Sequence, residues 1–214
     1  MADWEALQRR ARERYEEGES RLPEEPDARQ KQLTRMGNAA GAAGLAALMA
    51  GADGREWLAR AADRYRESWE HAPPGSWGRP IGAIKARVLA GDWDGAVADA
   101  RWTLAAGAAE SESPIGRYAA ALAFAALGDW EGVRLHADFA RTHEAFPNEV
   151  GDALAFIAAE DVVGYTEAVE DVLESFETRE EYLEDLPVAD TVLVLQALAG
   201  RRGMAAELES ALLP

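Results

Sequence analysis

A chain of 214 residues, 48% hydrophobic and 29% charged, is long enough to bury a substantial core and too apolar to be disordered. Its formal charge of −17 disfavours phosphate binding, so no nucleic-acid partner is expected, and the absence of cysteine excludes disulfides and thiolate metal sites. Alanine dominates the apolar residues and β-branched residues are sparse before the last third, a balance that predicts an all-α fold.

Met1-Ala2-Asp3-Trp4-Glu5 has neither the basic start nor the apolar core of a secretory signal, and a cytoplasmic protein is expected. Asp3 to Ser20 reads as a charged helix in which Trp4, Leu7, Ala11 and Tyr15 form one narrow apolar stripe. Such a stripe docks on a neighbouring helix or on a second copy of the chain. Residues 1–22 are therefore expected to be a cap or appendage, with homo-oligomerisation through this helix as one outcome. Pro23-Glu24-Glu25-Pro26 breaks the helix, because proline disfavours helical geometry in the residue before it.

Residues 27–214 read as a single helical-repeat domain. Asp27 is the expected cap of a helix running to about Ala50. Inside it stand Gly37, Gly41 and Gly44, each costing up to about 1 kcal/mol relative to alanine. Close approach of another backbone is the expected return. No strand precedes them and no Gly-Lys-Ser/Thr follows, which argues against a nucleotide loop. Met36 to Ala52 is uncharged, but its Ala/Gly content and short length suit a packed helix better than a membrane span.

Helical hairpins follow in order. Ala28–Ala50 turns at Gly51–Gly54 into Arg55–Glu70, with Trp57, Leu58, Ala61, Ala62, Tyr65 and Trp69 on one face. Pro80–Ala90 turns at Gly91-Asp92-Trp93 into Asp94–Ala106, with Val97, Ala100 and Leu104 inward. Ser113 is a candidate cap, with Pro114 at the first helical position, for Pro114–Leu127. That helix turns at Gly128-Asp129-Trp130 into Glu131–His143. Glu149–Ala159 turns at Glu160-Asp161 into Val162–Phe176, lined by Val162, Val169, Val172, Leu173 and Phe176. Pro187–Ala199 turns at Gly200–Gly203 into Met204–Leu213. Thr191 to Leu195 has strand propensity, but its helical neighbourhood favours a buried helix.

The string Gly-Asp-Trp-Asp/Glu-Gly occurs twice, thirty-seven residues apart, which is the mark of stacked repeats. Gly91 and Gly128 suit the left-handed closure of a helix, and Asp92 and Asp129 can cap the next one. Trp93 and Trp130 are expected to sit against the preceding helix. The architecture predicted is a short solenoid of about five antiparallel hairpins.

Leu89-Ala90-Gly91-Asp92-Trp93-Asp94-Gly95-Ala96, with Ala100 following, resembles the centre of a tetratricopeptide-type (TPR-like) repeat over residues 79–143. The family's closing proline and strict period are not kept: Asp53, Asp92, Asp129 and Asp161 are spaced by 39, 37 and 32. The resemblance implies a right-handed α-α superhelix that binds peptides or proteins in its concave groove. A second resemblance covers about the last fifty-five residues. It rests on Asp161 with Gly164-Tyr165, Glu167 to Leu173, Tyr182, Val188 through Gly203-Met204, and Glu209-Ser210-Ala211-Leu212-Leu213-Pro214. These look like the C-terminal region of the forty-ninth numbered family of polymorphic-toxin immunity proteins. The aromatic residue that family tends to carry before the final proline is absent. The resemblance implies neutralisation of a toxin by direct binding.

Residues 1–108 carry 16 Lys/Arg against 17 Asp/Glu, whereas residues 109–214 carry 6 against 22. Two readings compete: adaptation to high salt or a GC-rich genome, and a surface shaped for a basic partner. General adaptation should spread evenly along the chain, and this charge does not, but both readings stay open. The candidate surface is Glu167, Glu170, Asp171 and Glu174 on one helix, extended by Glu177, Glu180, Glu181, Glu184 and Asp185. Glu167/Asp171 and Glu170/Glu174 are like-charged neighbours four apart, each costing a few tenths of a kcal/mol, roughly, in dilute salt.

His71, His136 and His143 show no metal-ligand spacing, and no nucleophile elbow or cofactor motif appears. No metal, cofactor or catalytic residue is expected. The function expected is a non-catalytic protein-interaction module whose acidic half receives a basic protein. Immunity against a toxin and self-associating assembly are the alternatives.

Overall fold

The computed structural model describes residues 2–214, and its regular structure is entirely helical, with no strand among the described residues. Ten α-helices run in order: α1 Trp4–Ser20, α2 Pro26–Met49, α3 Arg55–Trp69, α4 Gly78–Leu89, α5 Trp93–Ala105, α6 Pro114–Leu127, α7 Trp130–Arg141, α8 Asn148–Ala159, α9 Val162–Glu177 and α10 Asp190–Gly200. Each packs on its neighbour in the chain, α4 also touches α2 and α6, and α10 lies against α4, α8 and α9.

The stripe on α1 docks on the chain itself. Ala11 and Tyr15 are buried, and Tyr15 meets Trp57 edge-on at 5.4 Å. Glu25 caps α2 through its carboxylate, which accepts from the Asp27 and Ala28 amides at 3.0 and 2.7 Å. Asp27 lies in the first turn, so the expected cap moves two residues back. Proline at 26 starts the helix without needing an amide hydrogen.

The glycines of α2 divide. A Cβ at Gly37 would stand 2.9 Å from the Tyr65 ring and one at Gly44 2.6 Å from Leu58. At Gly41 the nearest atom would be Ala61 Cβ at 3.9 Å, so nothing crowds it. Tyr65 is pressed from the other side as well, because a Cβ at Gly82 of α4 would come within 2.7 Å of its ring.

One corner geometry recurs. Gly91, Gly128 and Glu160 take left-handed φ values of 67°, 77° and 58°. At each corner the following aspartate amide reaches back to the helix it leaves: Asp92 to Arg87 O, Asp129 to Phe124 O and Asp161 to Phe156 O, at 2.9 to 3.0 Å. The same aspartates then accept from Gly95, Gly132 and Gly164 N at 2.9 to 3.0 Å. Trp93 and Trp130 pack on the core from these corners, and Arg201 and Arg202 stand over them, each 4.4 Å from the ring centroid.

Ser113 occupies the cap position of α6, yet its side chain makes no capping bond; its amide instead donates to Ser111 Oγ at 3.2 Å. The inner face of α5 is rotated from expectation. Ala96, Asp99, Ala100 and Thr103 are buried, while Val97 and Leu104 sit at the margin. Asp99 is tolerated there because Arg66 and Arg87 reach it at 2.6 and 3.3 Å.

Residues 204–213, expected to be a helix, are not helical. Extended chain packs Leu208 and Leu212 on the core, and the Gln196 amide holds the backbone of Ala206 by two bonds of 2.6 and 2.9 Å. A side chain thus supplies the partners that a helix would supply internally. Before α10, residues 178–189 run without α-helix, and Leu186 and Val188 insert into the core formed by α1 to α4.

Candidate protein-binding face

Helix α9 begins at the Asp161 cap and buries Tyr165, Ala168, Val169, Val172, Leu173 and Phe176. Val162, expected on that stripe, is 52% exposed and Val163 is 69% exposed. The first turn points outward because the inward stripe starts at Tyr165, whose hydroxyl donates to Gln196 Oε1 at 2.7 Å.

The opposite face carries the predicted acids. Glu167, Glu170, Asp171, Glu174 and Glu177 are all exposed, as are Glu180, Glu181 and Asp185 beyond the helix. None of these eight has a cation within salt-bridge distance among the described residues. Glu184 departs from the set. It is half-buried, turned towards Arg14 of α1 at 3.1 Å, and its carbonyl accepts from the same guanidinium. Ser210, from the chain's last segment, donates to Glu177 Oε1 at 2.7 Å.

Packing of α8 on α9 adds members that the sequence alone did not single out. A shallow cleft between them is lined by Asn148, Glu149, Asp152, Asp171, Glu174 and Ser175, with Thr178 at its edge. Asp152 is neutralised by Arg141 at 2.6 Å, whereas Glu149 is unpaired among the described residues. Glu149 lies more than twenty residues from Asp171 in sequence, and only the hairpin brings them to one cleft. That signal is available once Glu149–Ala159 and Val162–Phe176 are read as antiparallel partners.

Such a cleft offers carboxylate oxygens from two helices to one long cationic side chain, with the apolar Val162 and Val163 at the same helix's start. Such an arrangement can attract a cation electrostatically. Elsewhere, His136 is buried, stacked on Phe124 at 5.2 Å and 3.2 Å from an Arg117 nitrogen. Burial and then the Arg117 charge lower its pKa. Gly91, Asp92, Trp93, Gly128, Asp129 and Trp130 serve the corners already described. Among the described residues no group of three His, Asp or Glu side chains is placed to hold a metal, and no helix is long and apolar enough to cross a membrane. No family model matches the chain, and no curated protein or solved structure matches it.

Proposed function

We propose that the chain is a non-catalytic, TPR-like protein-interaction module, a right-handed stack of helical hairpins whose α8–α9 face receives a basic protein in the cytoplasm. The stack is supported by the three corners of one geometry and by helices that pack in chain order. Its last unit is a single helix followed by extended chain, not a fifth hairpin.

One observation carries the partner reading: eight exposed carboxylates of the acidic half have no counter-charge within salt-bridge distance among the described residues, although many arginines elsewhere are paired. Uncompensated like charge lowers stability in dilute salt, and a cationic partner offsets it. Immunity by direct binding of a toxin is the second reading. It is favoured by the Ser210–Glu177 bond, which ties the terminal Glu-Ser segment to the acidic helix.

The test is retention of basic proteins on the immobilised chain at low and high salt. A Glu167→Gln/Glu170→Gln/Asp171→Asn/Glu174→Gln variant should lose salt-sensitive retention. Equal retention by both chains removes the acidic face from the function. For the immunity reading, the discriminating result is rescue of cells from a basic toxin encoded beside this reading frame, by the wild-type chain and not by the variant.

A further inference from the structure

A cavity of about 780 Å³ lies between α2, α3 and α4 on one side and the first turns of α6 and α8 on the other. Residues 179–191 supply the remaining wall. That volume falls in the range of roughly 300–1,000 Å³ that takes a drug-sized molecule. Ala42, Leu45, Leu58, Ile81, Val150 and Phe176 make most of the lining apolar.

The polar groups in it are few, and several lack partners. Tyr118 is nine-tenths buried, lines the cavity, and its hydroxyl makes no hydrogen bond among the described residues. Burial, with the Asp190 charge, raises its pKa, so the phenol stays protonated. Tyr65 donates to Asn38 Oδ1 at 2.8 Å, and the Asn38 amide hydrogens have no acceptor among the described residues. Neither group is sealed from the cavity, so a ligand atom can take up these unused hydrogen-bonding positions.

Three cations (Arg79, Lys85, Arg179) and three carboxylates (Glu181, Glu184, Asp190) line the cavity, but they are not all paired with one another. Lys85 is satisfied by Asp190 at 2.5 Å and Thr191 at 3.0 Å, and Glu184 by Arg14. Arg79 has no carboxylate partner: it bonds only Gln30 Oε1, and its Nε is buried without an acceptor. Arg179 likewise donates only to Ser175 O and stacks on Phe176 at 3.7 Å. Against these two guanidinium groups the cavity holds one unpaired carboxylate, Glu181. Two guanidinium groups at this apolar cavity thus lack a carboxylate partner among the described residues.

We propose that this cavity binds a small amphipathic carboxylate, its apolar body against Leu45, Leu58 and Ile81 and its charge compensated by Arg79. Tyr118 and Asn38 serve its polar atoms. The site adjoins the acidic face at Glu181, which belongs to both, and its proposed ligand is distinct from the basic protein proposed for α8–α9.

The test is calorimetric titration with octanoate, octanol and octylamine, supported by the fluorescence of anilinonaphthalene sulfonate. Saturable one-to-one binding is expected, with octanoate at least about tenfold tighter than octanol and octylamine weakest. Arg79→Gln should erase the preference of octanoate over octanol. Gly41→Phe should block all three, since Gly41 lines the cavity and a Cβ there would meet nothing closer than Ala61 Cβ at 3.9 Å; thermal melting checks that this variant folds. Tyr118→Phe should weaken octanoate while leaving the fold intact. No saturable binding, equal affinity for the three probes, or binding indifferent to both Gly41→Phe and Arg79→Gln overturns the proposal.

Discussion

Arg202 stacks on Trp130 at 4.4 Å and in the same pose donates to the carbonyls of Ile157 and Ala158 at 2.9 and 3.0 Å. It thereby ties the corner that starts α7 to the open end of α8, and it also pairs with Glu160. Arg201 does the lesser version, on Trp93 and the Ala126 carbonyl at 3.2 Å. Arg202→Ala should therefore cost about 2 kcal/mol, and more than Arg201→Ala. Arg202→Lys should recover little, because an ammonium cannot stack flat and donate to two carbonyls together. Urea denaturation of the three variants checks the order.

Glu160 occupies a left-handed position that its counterparts Gly91 and Gly128 fill without a Cβ. The non-glycine cost is roughly 1 kcal/mol, and its exposed pair with Arg202 returns little of it. Glu160→Gly is expected to raise the melting temperature by about 2 °C. A drop would show that the Arg202 pair outweighs the backbone.

The corner aspartates and Ser113 make a matched comparison. Asp92, Asp129 and Asp161 each accept a capping bond, whereas Ser113 makes none. Asp129→Ala and Asp161→Ala should each cost about 1 kcal/mol, and Ser113→Ala almost nothing. Asp92→Ala should cost more than its equivalents, since Asp92 also receives Arg87 at 3.2 Å.

His136 sets a pH dependence. Its folded pKa lies below the 6.5 usual for a free imidazole, owing first to burial and then to Arg117. The unfolded chain therefore binds the proton more readily. Its contribution to stability is complete above pH 6.5 and is lost as pH falls through the lower folded value. His136→Gln should flatten that part of the stability profile between pH 7 and 5. An imidazole resonance titrating at or above 6.5 in the native protein would falsify this.

Much of the helical layout was legible because alanine-rich stretches alternate with glycine, proline and aspartate punctuation, and nine of the eleven expected helices begin within two residues of their expected starts. Two departures have one source. Asp99 and Gln196 act through partners distant in sequence, so neither could be placed from local pattern. Asp99 is charged yet buried because arginines from α3 and α4 converge on it. Residues 204–213 have helical composition, but Gln196 holds them extended. On the candidate face, the exposed acids followed from the period of α9, while Glu184 was lost to Arg14 and Glu149 gained through hairpin packing. The cavity was not legible at all: Asn38, Arg79 and Tyr118 lie on three different helices and share no motif.

The Tyr65 ring lies between the backbones of α2 at Gly37 and α4 at Gly82, so one side chain acts as the spacer for two neighbours at once. Positions 37, 65 and 82 are consequently interdependent in volume. In any lineage of this chain a methyl gained at either glycine is admissible only beside a smaller residue at 65, and the three sites should drift as a triplet or hold still together.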